Sequence, residues 1–524
     1  MQLISDILHR TARVYADCTA AADPVEVVTY GQLSEEVYRI ARGLLDFGLQ
    51  RGDRVALVLP NSVNFLRAHF AILTAGGVSV PCDAAVSSDV LRSILSNCRP
   101  RCVIISFAAF RRLAEVLNQL GVERVVLLEG IDGIDASVPL SATAWRELLM
   151  TFSNAPLGVS PSPSDVAVLM YTTGTTGAPR GVQLTHSNIL SALRNITDFV
   201  GYTSIDREVV VLPLSHSFGL GHVYCNFLNG GAVYIEAGLS RVGRVLKQLE
   251  GFKATGFPGT PMSFALLLDR FRPALAELGR NLRFIVINSA PLPPERIVQL
   301  RTLLPKTKIM AYYGLTEASR STFIDHTASG PAYYRSVGTP MKHVTIDICD
   351  TEGRRLPPGI SGEVRIKGPT VAQGYWESDA DTQAVFQDGW LRTGDFGYRD
   401  DKGFLFITGR LKEMVNVGGY KVSPYEVEAV MLKYPEVAEA AAFGCKCRLD
   451  ADSEVLAAAV VPRCKASFNR EGLERHCRES IEAFKVPSHI FLVKSLPRSE
   501  TGKVKRGALA RAFIQQMRAE EPLC

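Results

Sequence analysis

A chain of 524 residues is too long for one ordinary core and implies two or more domains. Hydrophobic residues make up 47%, Gly and Pro are spread throughout, and 58 basic against 53 acidic residues leave a formal net charge of +5. That profile excludes disordered and fibrous classes. Without a dense Lys/Arg block it also gives no nucleic-acid footprint.

The opening stretch, Met1 to Ala20, reads as an amphipathic helix, with Leu3, Ile4, Ile7, Leu8 and Ala12 near helical spacing. It lacks the continuous apolar core and the small-residue cleavage pattern of a signal peptide. Nowhere do about 18 apolar residues follow one another, so no membrane span is expected. The 11 cysteines are scattered. Their closest spacings, Cys98 with Cys102 and Cys445 with Cys447, have no matching His or Cys cluster, so reduced thiols in a cytoplasmic protein are expected. With Cys524 as the last residue, no prenylation box is expected.

Apolar β-branched runs then alternate with helical patterns. Strands are expected at Arg54–Pro60, Cys102–Ser106 and Arg124–Glu129, with a helix at Ser62–Ala75. A Pro/Ser/Gly-rich stretch, Ala155 to Ser164, separates this block from a second one that opens on the apolar run Asp165–Tyr171. A Gly/Thr-rich loop leads from there into a helix capped by Thr185, followed by strands at Glu208–Leu212, Ala232–Glu236, Leu282–Ile287 and Lys308–Tyr312. Near-continuous apolar strands separated by helices predict parallel sheets covered on both faces. From about Val344 short strands (Val344–Cys349, Glu363–Lys367) alternate with Gly, Pro and Asp turns, which predicts a small antiparallel barrel or sandwich. After Arg410 comes a third texture: helices at Pro424–Lys433 and Arg470–Phe484, strands at Val437–Phe443, Val455–Val461 and His489–Val493. The fold class is α/β: a large N-terminal body of two doubly wound sheets plus a small β-barrel, residues 1–409, and a small α+β C-terminal lid, residues 410–524.

The strongest motif is Tyr171-Thr-Thr-Gly-Thr-Thr-Gly-Ala-Pro-Arg-Gly-Val182, between a strand and a helix. Gly174, Gly177 and Gly181 let the backbone turn and bring N–H groups close to an anion. Thr172, Thr173, Thr175 and Thr176 add hydroxyl donors, and Arg180 adds a fixed positive charge. Such a loop suits a polyphosphate. No Gly-Lys-Ser/Thr ends it, so it is not a Walker P-loop and a motor-type NTPase is disfavoured.

Five further stretches complete the set. Tyr312-Tyr-Gly-Leu-Thr-Glu-Ala318 follows a buried strand, a natural place for a site residue in open α/β sheets. Gly389-Trp-Leu-Arg-Thr-Gly-Asp395 is followed by Gly409-Arg410, and Gly409 to Pro424 carries Lys412 and the pair Gly418-Gly419. Leu496 to Arg506 is a polar, cationic loop containing Lys503, and Ser289-Ala-Pro-Leu292 is a short Pro-bearing turn.

In this order and spacing the motifs resemble the AMP-forming acyl- and aryl-CoA synthetases, the family of firefly luciferase and the peptide-synthetase adenylation domains. The resemblance covers nearly the whole chain and implies that a carboxylate attacks the α-phosphorus of ATP, giving an acyl-adenylate whose acyl group then passes to a thiol. It implies roles for individual residues. Thr172 to Gly177, with Ser289, Ala290, Pro291, Tyr312, Tyr313 and Gly314, would hold ATP or AMP, Tyr313 stacking on adenine. Thr316 would hydrogen-bond the phosphate, Glu317 would hold Mg²⁺, and Arg180 would be a catalytic cation where the family usually has Lys. Asp395 and Arg410 would hold the ribose. Lys412 marks the hinge, Gly418 and Gly419 the face that meets the thiol, and Lys503 the lysine that enters the site during adenylation. His216, Ser217, Gly314, Ser319 and Arg320 would border the acyl pocket, Arg320 being placed to pair with a polar or acidic group of the substrate.

No Asp lies between Leu212 and Gly219, where amino-acid-activating relatives place one, so a fatty or aromatic acid is expected. ATP, Mg²⁺ and coenzyme A are the expected cofactors. The alternatives are an acyl carrier protein's phosphopantetheine as acceptor, a non-ligase nucleotide-binding relative, and a luciferase-like oxygenase.

Overall fold

The computed structural model describes residues 2–130, 141–159, 161–172, 179–418, 420–446, 454–498 and 504–520. The chain divides into two compact units, one of residues 1–346 with 366–391, the other of residues 347–365 with 392–524.

The first unit is built on two sheets. In the first, seven strands lie in the order Ser141–Ala144, Arg124–Leu127, Cys102–Ile105, Arg54–Leu59, Val78–Asp83, Val166–Thr172 and Arg180–Thr185. All its pairs are parallel except the last. In the second, nine strands run from Thr339–Pro340 through Thr322–Asp325, Lys308–Tyr313, Phe284–Ile287, Gly256–Gly259, Arg207–Val210 and Ala232–Ile235 to Thr19–Ala22 and Val27–Thr29. Its centre is parallel and its two edges are antiparallel. The central strands are buried along their length, as at Phe284–Ile287 and Val55–Leu59, because helices cover both faces.

The helix Val63–Thr74, capped by the Ser62 hydroxyl, is buried on every side except at Asn64, which fits its mostly apolar sequence; its Arg67 and His69 are buried too. The helix His186–Val200 has the predicted cap: Asn188 N–H donates to Thr185 Oγ1 at 3.0 Å, and Thr185 N–H to Asn188 Oδ1 at 3.1 Å. The opening helix is shorter than expected, Ser5–Val14, since Thr19–Ala22 is drawn off as a strand beside Ala232–Ile235. A strand, Arg180–Thr185, intervenes between the Gly/Thr loop and the helix; its polar Arg and Gln hid an edge strand paired with Val166–Thr172.

The second unit contains the strand Leu405–Arg410 and, from Arg392, the strand Trp390–Arg399, paired antiparallel within a five-stranded sheet. It continues into a three-stranded sheet in which Val437–Lys446 and Glu454–Pro462 run antiparallel and His489–Leu492 adds in parallel. Residues of Glu454–Pro462 alternate between two cores. Leu456, Ala458 and Val460 pack with the helices Pro424–Met431 and Arg470–Ser480, while Ala457 and Ala459 pack with Leu509 and Phe513. The helix carrying these last two, Arg506–Glu520, was not expected.

Candidate active site

Thr172 ends one strand and Arg180 opens the next, and the two are cross-strand partners. They bracket the Gly/Thr loop, whose residues Thr173, Gly174, Thr175, Thr176 and Gly177 lie outside the described residues. Gly181 differs from its expected turn role. It sits within the strand, where an added Cβ would lie 2.9 Å from the Tyr171 ring, so the missing side chain makes room for that tyrosine.

The Tyr312 motif leaves the strand Lys308–Tyr313 at its carboxyl end. Gly314 has no room for a side chain, because a Cβ there would stand 2.4 Å from the Arg320 backbone nitrogen. The chain turns on Ala318 N–H to Leu315 carbonyl at 3.2 Å, leaving Thr316 and Glu317 half-buried on the turn.

Residues 371–376 join this turn to the strand Arg180–Thr185. Ala372 N–H donates to the Glu317 carbonyl at 2.8 Å, and Trp376 N–H to the Gly181 carbonyl at 2.7 Å. Between them Tyr375 donates its hydroxyl to Glu317 Oε1 at 2.8 Å, and the Arg180 guanidinium lies 5.5 Å from the Tyr375 ring centre. Arg180 Nη2 also pairs with Asp381 Oδ1 at 2.8 Å. Burial, then the Glu317 charge, push the Tyr375 hydroxyl well above its ordinary range, so it stays a donor. Tyr375 and Asp381 escaped the sequence reading; the only signal was an aromatic beside Trp376 and a short acidic helix start, neither of them a motif.

The residues expected to border an acyl pocket gather at the start of the helix Ser217–Asn229. His216 is its N-cap residue, with extended backbone and half-buried. Arg320, only 3% exposed, stacks over Tyr312 at 5.2 Å and donates to Ser319 Oγ at 2.7 Å and to the Ser217 and Phe218 carbonyls at 3.1 and 3.3 Å. Ser217, Ser319 and Arg320 line one pocket with Gly221 and Tyr224. Ser289 takes a positive φ of 87° after the strand Phe284–Ile287, and Ala290 and Pro291 are exposed on the same turn. Tyr312 is buried between the Phe218 and Phe323 rings, at centroid distances of 5.5 and 5.1 Å, whereas Tyr313 is half-buried.

In the second unit Asp395 and Arg410 are cross-strand partners joined by Nε to Oδ1 at 2.9 Å, with Asp395 buried. The short helical turn Leu411–Glu413 follows and exposes Lys412. Gly418, with φ 57°, sits at the tip of the hairpin Val415–Val417 and Tyr420–Val422, and nothing lies within 4 Å of where a Cβ would be. Gly419 and Lys503 fall outside the described residues.

A threonine-rich loop bracketed by a strand pair, a carboxylate turn at a parallel strand's end and a separate α+β unit define an adenylate-forming enzyme. The AMP-binding enzyme family matches residues 8–376, and the AMP-binding enzyme C-terminal domain matches residues 426–503. The chain belongs to this family, the AMP-forming acyl- and aryl-CoA synthetases, and is an acid–thiol ligase. It is 32% identical to the probable CoA ligase CCL9 of Humulus lupulus, over 98% of this chain and 97% of that one. To the oxalate–CoA ligase of Arabidopsis thaliana it is 30% identical, over 98% and 99% of the two chains. The crystal structure of ATP-bound MatB from Rhodopseudomonas palustris superposes with a TM-score of 0.87 at 25% identity, covering 97% of this chain and 99% of that one. Among the described residues no helix is long and apolar enough to cross a membrane.

Proposed function

We propose that this protein joins a small carboxylic acid, fatty or aromatic, to coenzyme A through an enzyme-held acyl-adenylate. Carboxylates are poor acyl donors because oxide would have to leave; exchanging it for AMP removes that obstacle. The observation that supports the reading best is the chain Arg180–Tyr375–Glu317, which draws a cation and a carboxylate together beside the Gly/Thr loop.

Charge accumulates on the phosphates as pyrophosphate departs, and preorganised donors at that point lower the barrier. Arg180, steered by Asp381, supplies a positive charge, and Thr316 and the loop threonines supply hydroxyl donors. Glu317 fits a Mg²⁺ site: Tyr375 occupies one carboxylate oxygen, while the other has no hydrogen bond among the described residues. A single carboxylate completed by phosphate oxygens and water is a usual magnesium environment, and the ion would neutralise phosphate charge there. Asp395 and Arg410 would receive the ribose, and Lys503 the substrate carboxylate and a bridging oxygen.

Residues 1–409 would serve as body and 410–524 as a lid turning at Lys412, one lid serving both half-reactions. The similarity to chains named CoA ligases favours coenzyme A over a carrier protein. Exchange of labelled pyrophosphate into ATP with a panel of acids, followed by thioester formation with coenzyme A or with a carrier protein, tests the reading; no exchange with any acid would overturn it.

A further inference from the structure

The pocket beside the helix Ser217–Asn229 has an apolar wall and, at that wall, two buried polar groups that lack a hydrogen-bond partner among the described residues. Met170, Leu184, Ile189 and Leu193 line it. Arg320 and Thr370 line it too, and each buries a polar atom without a partner: Arg320 Nε and Thr370 Oγ1. Both residues are almost wholly buried, at 3% and 1% exposure.

Arg320 forms no ion pair among the described residues. Its guanidinium has only a serine hydroxyl, two backbone carbonyls and the Tyr312 ring for company, and no carboxylate pairs with it among the described residues. The buried Glu208, whose neighbour Tyr202 also feels the Arg320 charge, gives its oxygens to Tyr202, His222 and Asn226. The two carbonyls that Arg320 does reach belong to the first turn of a 13-residue helix, the positive end of its dipole, where a cation is disfavoured and an anion favoured. A buried cation, a helix start and an unpartnered hydroxyl therefore ask for the same thing, because a buried charge without a counter-charge is costly.

We propose that the acid this enzyme activates carries a second anionic group, a distal carboxylate, which enters this pocket and is held by Arg320 and Thr370 while its apolar middle lies against the aliphatic wall. The proposal rests on the ligase reading and narrows its substrate to acids with an apolar body and a charged far end. Gly221 belongs to the same device, since an added Cβ would stand 2.1 Å from Arg320 Nη2 and so displace the guanidinium.

Pyrophosphate exchange with succinate, glutarate and adipate, each against the monocarboxylic acid of equal carbon number, tests it. The native protein should favour the best diacid by a factor of about ten or more in kcat/KM, the scale of a hydrogen bond to a buried charge. Arg320→Met should erase or reverse that ratio, Arg320→Lys should keep part of it, and Gly221→Ala should lower it. A purely structural role would depress both acid classes alike and leave the ratio where it was. Equal or poorer use of every diacid by the native protein overturns the proposal without requiring any variant to fold. So does an unchanged ratio in soluble Arg320→Met. Exchange with monocarboxylic acids but no diacid preference leaves the ligase reading standing, whereas no exchange with any acid removes both.

Discussion

The Tyr375 hydroxyl donates to Glu317 Oε1 across 2.8 Å, linking residues that are 58 positions apart. Tyr375 lies on the segment 371–376, which runs beside the strand Arg180–Thr185, while Glu317 lies on the turn after Lys308–Tyr313, so a single phenol ties the loop side of the site to the carboxylate side. Removing it leaves the Glu317 carboxylate with one orienting donor fewer. Tyr375→Phe should therefore reduce adenylation by about tenfold, the worth of one hydrogen bond to a charged group, and raise the magnesium concentration needed for half-maximal pyrophosphate exchange. A magnesium curve that does not move in the variant would separate Tyr375 from the metal-binding role proposed for Glu317.

Arg180 occupies the loop position where the family usually has lysine, and its planar guanidinium is used as such here: it lies over the Tyr375 ring and pairs with Asp381. Its side chain is 30% exposed, so the pair with Asp381 adds little to stability, and its importance is to hold the charge in place. Arg180→Lys should keep most of the adenylation rate, within about tenfold. Arg180→Ala should lose roughly a hundredfold, as when one transition-state donor is deleted, with the melting temperature barely changed. Steady-state kcat for pyrophosphate exchange in the two variants decides this.

The sequence was most legible where apolar runs and turn chemistry agree. The strand Phe284–Ile287, the Thr185 cap and the helix after Ser62 stand within a residue or two of expectation, because burial on both faces and a capping box leave local signals. The strand Arg180–Thr185 was missed because its polar Arg and Gln break the apolar run, and its pairing with segment 371–376 is remote in sequence. Tyr375 and Asp381 were invisible for the same reason: each matters through a partner far away in the chain. Arg320 was legible as a residue near the pocket, but that no carboxylate pairs with it among the described residues is a property of three dimensions only.

His186 gives an acid-sensitive element unrelated to catalysis. Its ring is buried, and Nδ1 accepts the Ile4 backbone N–H at 3.1 Å, which requires the neutral ring. Burial holds its pKa down to about 4. An unfolded chain takes up that proton near pH 6.5 whereas the folded one resists it, so stability is full above pH 6.5 and declines as the pH falls towards 4. The loss by pH 4 is about 3 kcal/mol for this histidine, from 1.36 kcal/mol per pH unit. Melting temperatures between pH 7 and pH 4.5 should fall in the native protein, and less steeply in His186→Gln. Equal slopes in the two proteins would place the acid sensitivity elsewhere.

The two half-reactions offer the sharpest separation of roles. Lys503 is proposed to hold the substrate carboxylate only while the acyl-adenylate is being made, whereas Gly418 presents an open hairpin tip, with φ 57° and no side chain, on the unit proposed to meet the thiol. If one lid serves both steps, the two residues should fail independently. Lys503→Ala should abolish pyrophosphate exchange, losing about 3 kcal/mol or more of transition-state stabilisation, yet convert supplied acyl-adenylate and coenzyme A to thioester at close to the native rate. Gly418→Val should do the opposite, because a β-branched residue is strained at positive φ and thickens the hairpin where the thiol must approach, while exchange of pyrophosphate continues. Single-turnover measurements of each step in each variant distinguish the two. Parallel loss of both steps in Lys503→Ala would mean that the lysine supports the lid's fold and not the first reaction, and the division of labour between the two faces would have to be abandoned.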